Sequence, residues 1–240
     1  MRLCVINFSG NVGKTTVSAN FLKPRLDAHL FSIETINQDA EGDGVEAKRM
    51  RAQQFGALLD GMLLAPRAIV DVGSSNVEAF LEYMQRYDSS HEDYDYFVVP
   101  TVKERKQVAD TVATIEALLS MGVEGDRIKV LFNKIERPDD LLDDFAPLFG
   151  FAMQKGIELN PRARLELHPV FDEIKDHDQT LAEVIADPTD HRALLAGETT
   201  DEARAERIRR LSIKRLATRC ARDMDQAYAA LFARAPAVAG

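Results

Sequence analysis

Short runs of apolar residues recur along most of the chain, separated by stretches of mixed polarity. The apolar runs carry hydrophobic residues at successive positions, which is typical of strands buried on both faces of a parallel sheet. We predict strands over residues 2–8, 29–36, 68–73, 94–101, 127–133 and 164–170. The last run instead alternates polar and apolar residues, which predicts a strand at the edge of the sheet.

The stretches between these runs place apolar residues at helical spacing. We predict helices over residues 14–27, 45–62, 77–87, 103–121, 138–154 and 178–187. A regular succession of strands and helices is typical of the α/β class. We therefore predict a doubly wound, mainly parallel sheet whose functional site lies at the carboxyl ends of the strands.

A long helix is predicted at the end of the chain, from Thr199 to about Ala233, with Thr199 or Thr200 as its cap. It carries a concentrated set of basic residues: Arg204, Arg207, Arg209, Arg210, Lys214, Arg215, Arg219 and Arg222. Two interpretations stay open. The helix contacts DNA or another acidic surface, or its basic face is solvated and pairs with the acidic segment 138–144. We predict a first domain over 1–197, this helix over 198–234 and a loose tail over 235–240.

Composition narrows the function classes. The 240 residues carry a formal net charge of −9, which argues against a protein that binds nucleic acid over its whole surface but leaves room for a local basic patch. Cys4 and Cys220 alone make neither a disulfide framework nor a metal set, so we expect a cytoplasmic location. No stretch approaches the roughly 20 apolar residues of a membrane span, so we do not expect a transmembrane protein.

The candidate chemistry begins in the loop SGNVGKTT, residues 9–16, between the first strand and the first helix. Glycines allow a loop to curl until successive amides point at one anion, and the following helix adds the positive end of its dipole. Lys14 would then reach the outer phosphates of a nucleotide, and the hydroxyl of Thr15 would bind magnesium. A glycine turn that only links strand to helix would not require Lys and Thr directly after Gly13. We predict these nucleotide-binding residues: Gly10, Asn11, Val12, Gly13, Lys14, Thr15 and Thr16.

A second candidate follows the third predicted strand, which runs into Asp71 and then Gly73. A carboxylate at the end of a central strand would lie beside the phosphate-binding loop and hold magnesium. The amide of Gly73 could sense the terminal phosphate. Asp71 could alternatively cap a helix, because Ser-Ser-Asn follows at 74–76.

Residues 9–16 resemble the deviant phosphate loop of ParA/MinD-type ATPases, Lys-Gly-Gly-x-Gly-Lys-Thr-Thr. Two positions depart from that pattern: Ser9 replaces the signature lysine, and Asn11 replaces the second glycine. The longer run VINFSGNVGKTT, residues 5–16, more closely resembles StbB-type plasmid stability proteins of the same superfamily. The resemblance implies a magnesium-dependent ATPase that acts as a switch in plasmid stability, partitioning or conjugative transfer.

The resemblance also assigns roles to single residues. Lys14, Glu34 and Asp71 would be catalytic, with Glu34 at the first position of a family Asp-x-Asp pair. The second position of that pair falls on Ile36, and Asp39 is a substitute candidate. Asn133 would contact adenine.

The base preference depends on the run that begins with Asn133. A GTPase would show Asn-Lys-x-Asp there, whereas this chain has Asn-Lys-Ile-Glu ending at Glu136. We therefore favour ATP, with GTP as the alternative.

Further expectations follow from the resemblance. The signature lysine reaches the partner subunit's phosphates in a dimer, and Ser9 cannot, so we expect slow hydrolysis by the protein alone. A basic group such as Lys103 or Arg105, or a partner, would then activate it. We expect a partner protein from a plasmid stability or transfer system and a nucleotide-dependent homodimer. The alternatives are a nucleotide-binding adaptor with little hydrolysis, a GTP-preferring switch and a small-molecule kinase.

Overall fold

A seven-stranded sheet forms the centre of the computed structural model, which describes residues 1–34, 48–50, 54–136, 140–175 and 179–233. The strands are Arg2–Val5 (β1), His29–Ile33 (β2), Lys48–Met50 (β3), Ala68–Val72 (β4), Tyr96–Thr101 (β5), Ile128–Ile135 (β6) and Arg164–Glu166 (β7). Their order across the sheet is β3-β2-β4-β1-β5-β6-β7, and every neighbouring pair is parallel. The predicted parallel α/β sheet is therefore confirmed.

Helices connect the strands. The first, α1, consists of α-helical Lys14–Thr16, π-helical Val17–Leu22 and α-helical Lys23–Leu26. The others are Phe55–Leu64 (α2), Val77–Arg86 (α3), Arg105–Ser120 (α4), Leu141–Asp144 (α5), Ala146–Lys155 (α6), Val170–Lys175 (α7), Leu181–Ala186 (α8), His191–Leu195 (α9) and Asp201–Leu231 (α10). Among the helices described, none is long and apolar enough to cross a lipid bilayer.

Helices cover both faces of the sheet, which explains why the strand sequences are apolar throughout. Alternate residues of β1 point to opposite faces. Cys4 joins the main core with residues of α2, α3, α4 and α6, whereas Leu3 and Val5 are buried outside that cluster. Helix α1 packs with the end of α10, where the rings of Phe21 and Tyr228 lie 6.1 Å apart edge to face. The sheet is therefore doubly wound, as predicted.

Three predicted elements differ most from the structure. Strand β3 lies inside the predicted helix 45–62. Among the described residues it pairs with β2 alone and forms an edge of the sheet. Its Lys-Arg-Met sequence also suits a helix, so the spacing of apolar residues did not indicate a strand. The predicted helix 138–154 is divided at Phe145, because Asp140 caps α5 and Pro147 lies in the first turn of α6. The predicted strand 164–170 ends at Glu166, although it does lie at the sheet edge.

The described residues form two compact units. The first contains those up to Leu167 and the end of α10 from Gln226, and the second contains those within His168–Asp225. This division does not coincide with the predicted domain boundary between residues 197 and 198. That boundary stays a prediction.

Within the second unit, most basic side chains of α10 have acidic or carbonyl partners. The predicted long helix is confirmed, and Thr200 caps it by accepting a hydrogen bond from the amide of Ala203 at 3.1 Å. Arg207 pairs with Glu198 at 2.7 Å, and Lys214 donates to the carbonyl of Asp187. Contact of this helix with DNA or an acidic partner stays a prediction.

Candidate nucleotide-binding site

The site lies beside β1, where the order of successive strands reverses across the sheet. The chain builds β2, β3 and β4 on one side of β1 and then crosses to β5 on the other side. Val5 is in register with Asp71 of β4 and with Val98 of β5, so the loop after β1 begins beside both strand ends. Such a reversal leaves a crevice at the carboxyl ends of the strands, where ligands of this fold class bind.

The loop over residues 9–16 is curled as its glycines and asparagine allow. Asn11 and Gly13 have positive φ values of 60° and 83°. Gly13 is the residue before α1, its carbonyl accepts from the amide of Val17 at 2.9 Å, and no side chain caps the helix start. The first amides of α1 are therefore left to bind another acceptor, as at an anion site.

Gly13→Ala is expected to damage this loop. A Cβ at Gly13 would clash with Nδ2 of Asn133, and the residue would have to keep a left-handed backbone. We expect the free energy of unfolding to fall by about 1–3 kcal/mol and nucleotide binding to be lost. Gly150→Ala in α6 is the control, because its Cβ would have no atom within 4 Å and Ala favours a helix. Urea unfolding should show that control unchanged or slightly more stable; equal losses in both variants would contradict the argument.

Lys14 is folded back onto the loop. Its ammonium donates to the carbonyls of Asn7 at 3.1 Å and Ser9 at 2.6 Å, and the residue is 8% exposed. Burial lowers the pKa of Lys14 to about 8, and the charge of Asp71 opposes that change. The group is therefore mainly cationic at neutral pH, and bound phosphate would replace carbonyl oxygens as its partner.

Asp71 is buried at the end of β4. Burial raises its pKa to about 6, with the Thr15 hydroxyl and the Lys14 charge opposing the rise. Its Oδ1 atom makes no hydrogen bond among the described residues. The buried hydroxyl of Ser18 makes none either, although it lies close enough to Asp71 to lower the pKa of that carboxyl group. Unsatisfied buried oxygens are costly unless a ligand uses them, so this arrangement fits a cation such as magnesium. The alternative role as a helix cap is wrong here, since neither Ser74–Asn76 nor α3 has a side-chain cap.

Glu34 follows β2 and is half-buried, and its charge contributes to the raised pKa of Asp71. The two carboxylates therefore lie at the same edge of the sheet; their catalytic roles stay predictions. Gly73 differs from prediction: its amide donates to the carbonyl of Ile33 at 2.8 Å, so it is already bonded and does not face the loop as a free donor. Ile36 and Asp39 lie outside the described residues.

Asn133 and Lys134 reach the loop from the end of β6. Nδ2 of Asn133 donates to the carbonyl of Val12 at 2.8 Å, and the ammonium of Lys134 donates to the carbonyl of Asn11 at 2.9 Å. Asn133 thus lies beside the loop, with its Oδ1 atom as an additional acceptor. Its contact with adenine stays a prediction. Lys103 pairs with Glu136 at 3.5 Å on the surface.

A buried polar network below the loop was missed by sequence reasoning. Nδ2 of Asn7 donates to the carbonyl of Pro100 and to Thr111 Oγ1, and Asn7 Oδ1 accepts from the amide of Ser9 at 2.7 Å. The amide of Phe8 donates to Thr114 Oγ1 at 3.0 Å. These bonds fix the start of the loop to α4. The available signal was one asparagine at the end of an apolar run directly before the loop.

No family model matches the sequence, and no curated protein matches it. Solved structures do match. The MinD cell division protein of Aquifex aeolicus has a TM-score of 0.51 at 13% identity, covering 83% of this chain and 98% of that one. The cell division ATPase MinD of Pyrococcus furiosus has a TM-score of 0.51 at 14% identity, covering 90% and 99%. The ATP complex of a McdA variant from Cyanothece has a TM-score of 0.50 at 14% identity, covering 77% and 90%.

At these identities the likeness shows the fold. The chain has the P-loop NTPase fold of MinD and McdA. The StbB-type resemblance stays a prediction.

Proposed function

We propose that the protein is a magnesium-dependent nucleotide switch that binds ATP and hydrolyses it slowly. The observation that carries the proposal is a buried ammonium, Lys14, near a buried carboxylate, Asp71, whose Oδ1 makes no hydrogen bond within the described parts of the chain. Two desolvated groups of opposite charge beside a curled, uncapped loop are costly in an empty protein. They are useful if a phosphate chain and a metal ion bind between them.

The chain's own residues would divide the work as follows. Amides of residues 10–15 and the ammonium of Lys14 bind the phosphates, and Asp71 and Thr15 hold the metal ion. Magnesium, when bound, neutralises charge on the phosphates. No group of three or more metal-ligating His, Cys, Asp or Glu side chains occurs among the residues described, so the other ligands would be phosphate and water. Glu34 orients the attacking water.

We extend the proposal to plasmid stability, partitioning or conjugative transfer, where nucleotide state would control a partner protein and a homodimer. Among the solved structures, one complex contains MinD of Aquifex aeolicus with MinC, at a TM-score of 0.50 and 12% identity. That complex is an example of this fold binding a protein partner. DNA or acidic-surface contact through α10 belongs to the same proposal.

The deciding experiment is a calorimetric titration with the magnesium complexes of non-hydrolysable ATP and GTP analogues. We expect the ATP analogue to bind about tenfold tighter, because Asn133 presents an acceptor to the amino group of adenine. A preference for GTP would favour the second candidate, a GTP switch, for which the position of Glu136 three residues after Asn133 is the supporting observation. Failure to bind either analogue would contradict the proposed function.

A further inference from the structure

Strand β6 contains an irregularity at the two residues that touch the phosphate-binding loop. Phe132 pairs with Arg164 and Ile135 with Glu166, so β6 has one residue more than β7 between the two pairs. Lys134 lies in this bulge with a φ of +54°, a left-handed conformation that is unfavourable for a lysine. Bulges change the direction in which a side chain points and are frequent beside functional sites.

The bulge brings two consecutive side chains to one loop. In a regular strand, neighbouring side chains point to opposite faces. Here the Asn133 amide and the Lys134 ammonium bond consecutive carbonyls, those of Val12 and Asn11. The strained backbone of Lys134 is therefore used to place an ammonium on the loop.

The charges around the loop indicate a role for the Lys134 ammonium. Lys14 lies near the carboxylate of Asp71, whose negative charge offsets it. Ser9 contributes no positive charge. Lys134 places a second cation on the carbonyl of Asn11, and that carbonyl occupies only one of its three N–H donors.

We propose that Lys134 is a nucleotide-binding residue, which donates to the phosphate chain while it remains bonded to the loop. It supplies from the same chain a positive charge that Ser9 does not supply. The inference rests on the proposed function, and it names an additional residue of the same site. Because the ammonium is exposed, its contribution depends on charge and is weakened by salt.

The test is calorimetric titration of the magnesium complex of a non-hydrolysable ATP analogue into wild type, Lys134→Gln, Lys134→Arg and Lys129→Gln at low and high salt. Lys129 is the matched control, because it belongs to the same strand and its ammonium lies over the ring of Tyr96, 5.2 Å from the centroid. We expect Lys134→Gln to weaken binding about tenfold at low salt and less at high salt. Lys134→Arg should retain most of the affinity, and Lys129→Gln all of it.

The outcomes separate this inference from the proposed function. If wild type binds and Lys134→Gln binds equally well, the role of Lys134 is refuted while the nucleotide site stands. An equal loss of affinity in Lys134→Gln and Lys134→Arg would show that the shape of the loop matters rather than the charge of Lys134. That result would also overturn the inference. If wild type binds no nucleotide, both fail. Melting temperatures of the nucleotide-free variants, expected to match wild type, check that the loop's surroundings are intact.

Discussion

Replacing Lys14 with alanine is expected to weaken binding of a non-hydrolysable ATP analogue with magnesium by roughly a hundredfold or more. The ammonium is buried against the carbonyls of Asn7 and Ser9 and lies near Asp71. Without it, a bound phosphate chain would lose its buried cation partner beside the Asp71 carboxylate. The loss should therefore exceed that of an ordinary surface contact. Calorimetric titration measures it directly.

The fold should survive this substitution. Burial lowers the pKa of Lys14 to about 8, which means that the buried ammonium is unfavourable for folding. Removing it therefore gains stability, and this gain offsets the cost of leaving two carbonyls without a donor. Lys23→Ala is the matched control, since it removes the same side chain from the same helix nine residues further on. Circular dichroism should show all three proteins folded. Unchanged affinity in the Lys14 variant would count decisively against the site.

Local backbone requirements made part of this site predictable from the sequence. A loop that needs Gly13 at positive φ, between an apolar run and a helix, can be identified without knowing the rest of the fold. The same holds for Asp71, because an aspartate that ends an apolar run lies at the end of a buried strand. Parallel strands then bring such ends to one edge.

Long-range contacts made the rest unpredictable. Strand β3 exists because residues 48–50 pair with β2, not because of their own pattern. The hydrogen bond from Asn7 to Thr111 joins residues 104 apart. Period-two alternation would send Asn133 and Lys134 to opposite faces, and only the pairing with β7 reveals the bulge that brings them together. The amide of Gly73 is used by β2, which its spacing from the loop did not indicate.

Asp71→Asn is expected to stabilise the nucleotide-free protein at neutral pH and to remove the effect of magnesium on nucleotide affinity. The residue is 3% exposed, and burial raises its pKa from 3.8 to about 6. Between those values the folded protein binds a proton that the unfolded chain has released. The associated stability is fully present below pH 3.8 and is lost as pH rises through about 6. At neutral pH the ionised carboxylate then costs about 2–3 kcal/mol, which asparagine avoids.

Urea unfolding at about pH 4 and pH 7.5 measures this cost, with Asp60→Asn on the exposed face of α2 as the control. The Asp71 variant should be the more stable protein at the higher pH, and the difference should shrink at the lower pH. In the same variant, added magnesium should no longer tighten binding of the ATP analogue.

A variant that is less stable than wild type at pH 7.5 would mean that the carboxylate stabilises the empty protein. Retained magnesium dependence would mean that other residues hold the metal. If Asp71→Asn makes the protein more stable and also removes the effect of magnesium on nucleotide affinity, the carboxylate serves ligand binding rather than folding. Replacing a purely structural aspartate with asparagine would instead make the protein less stable.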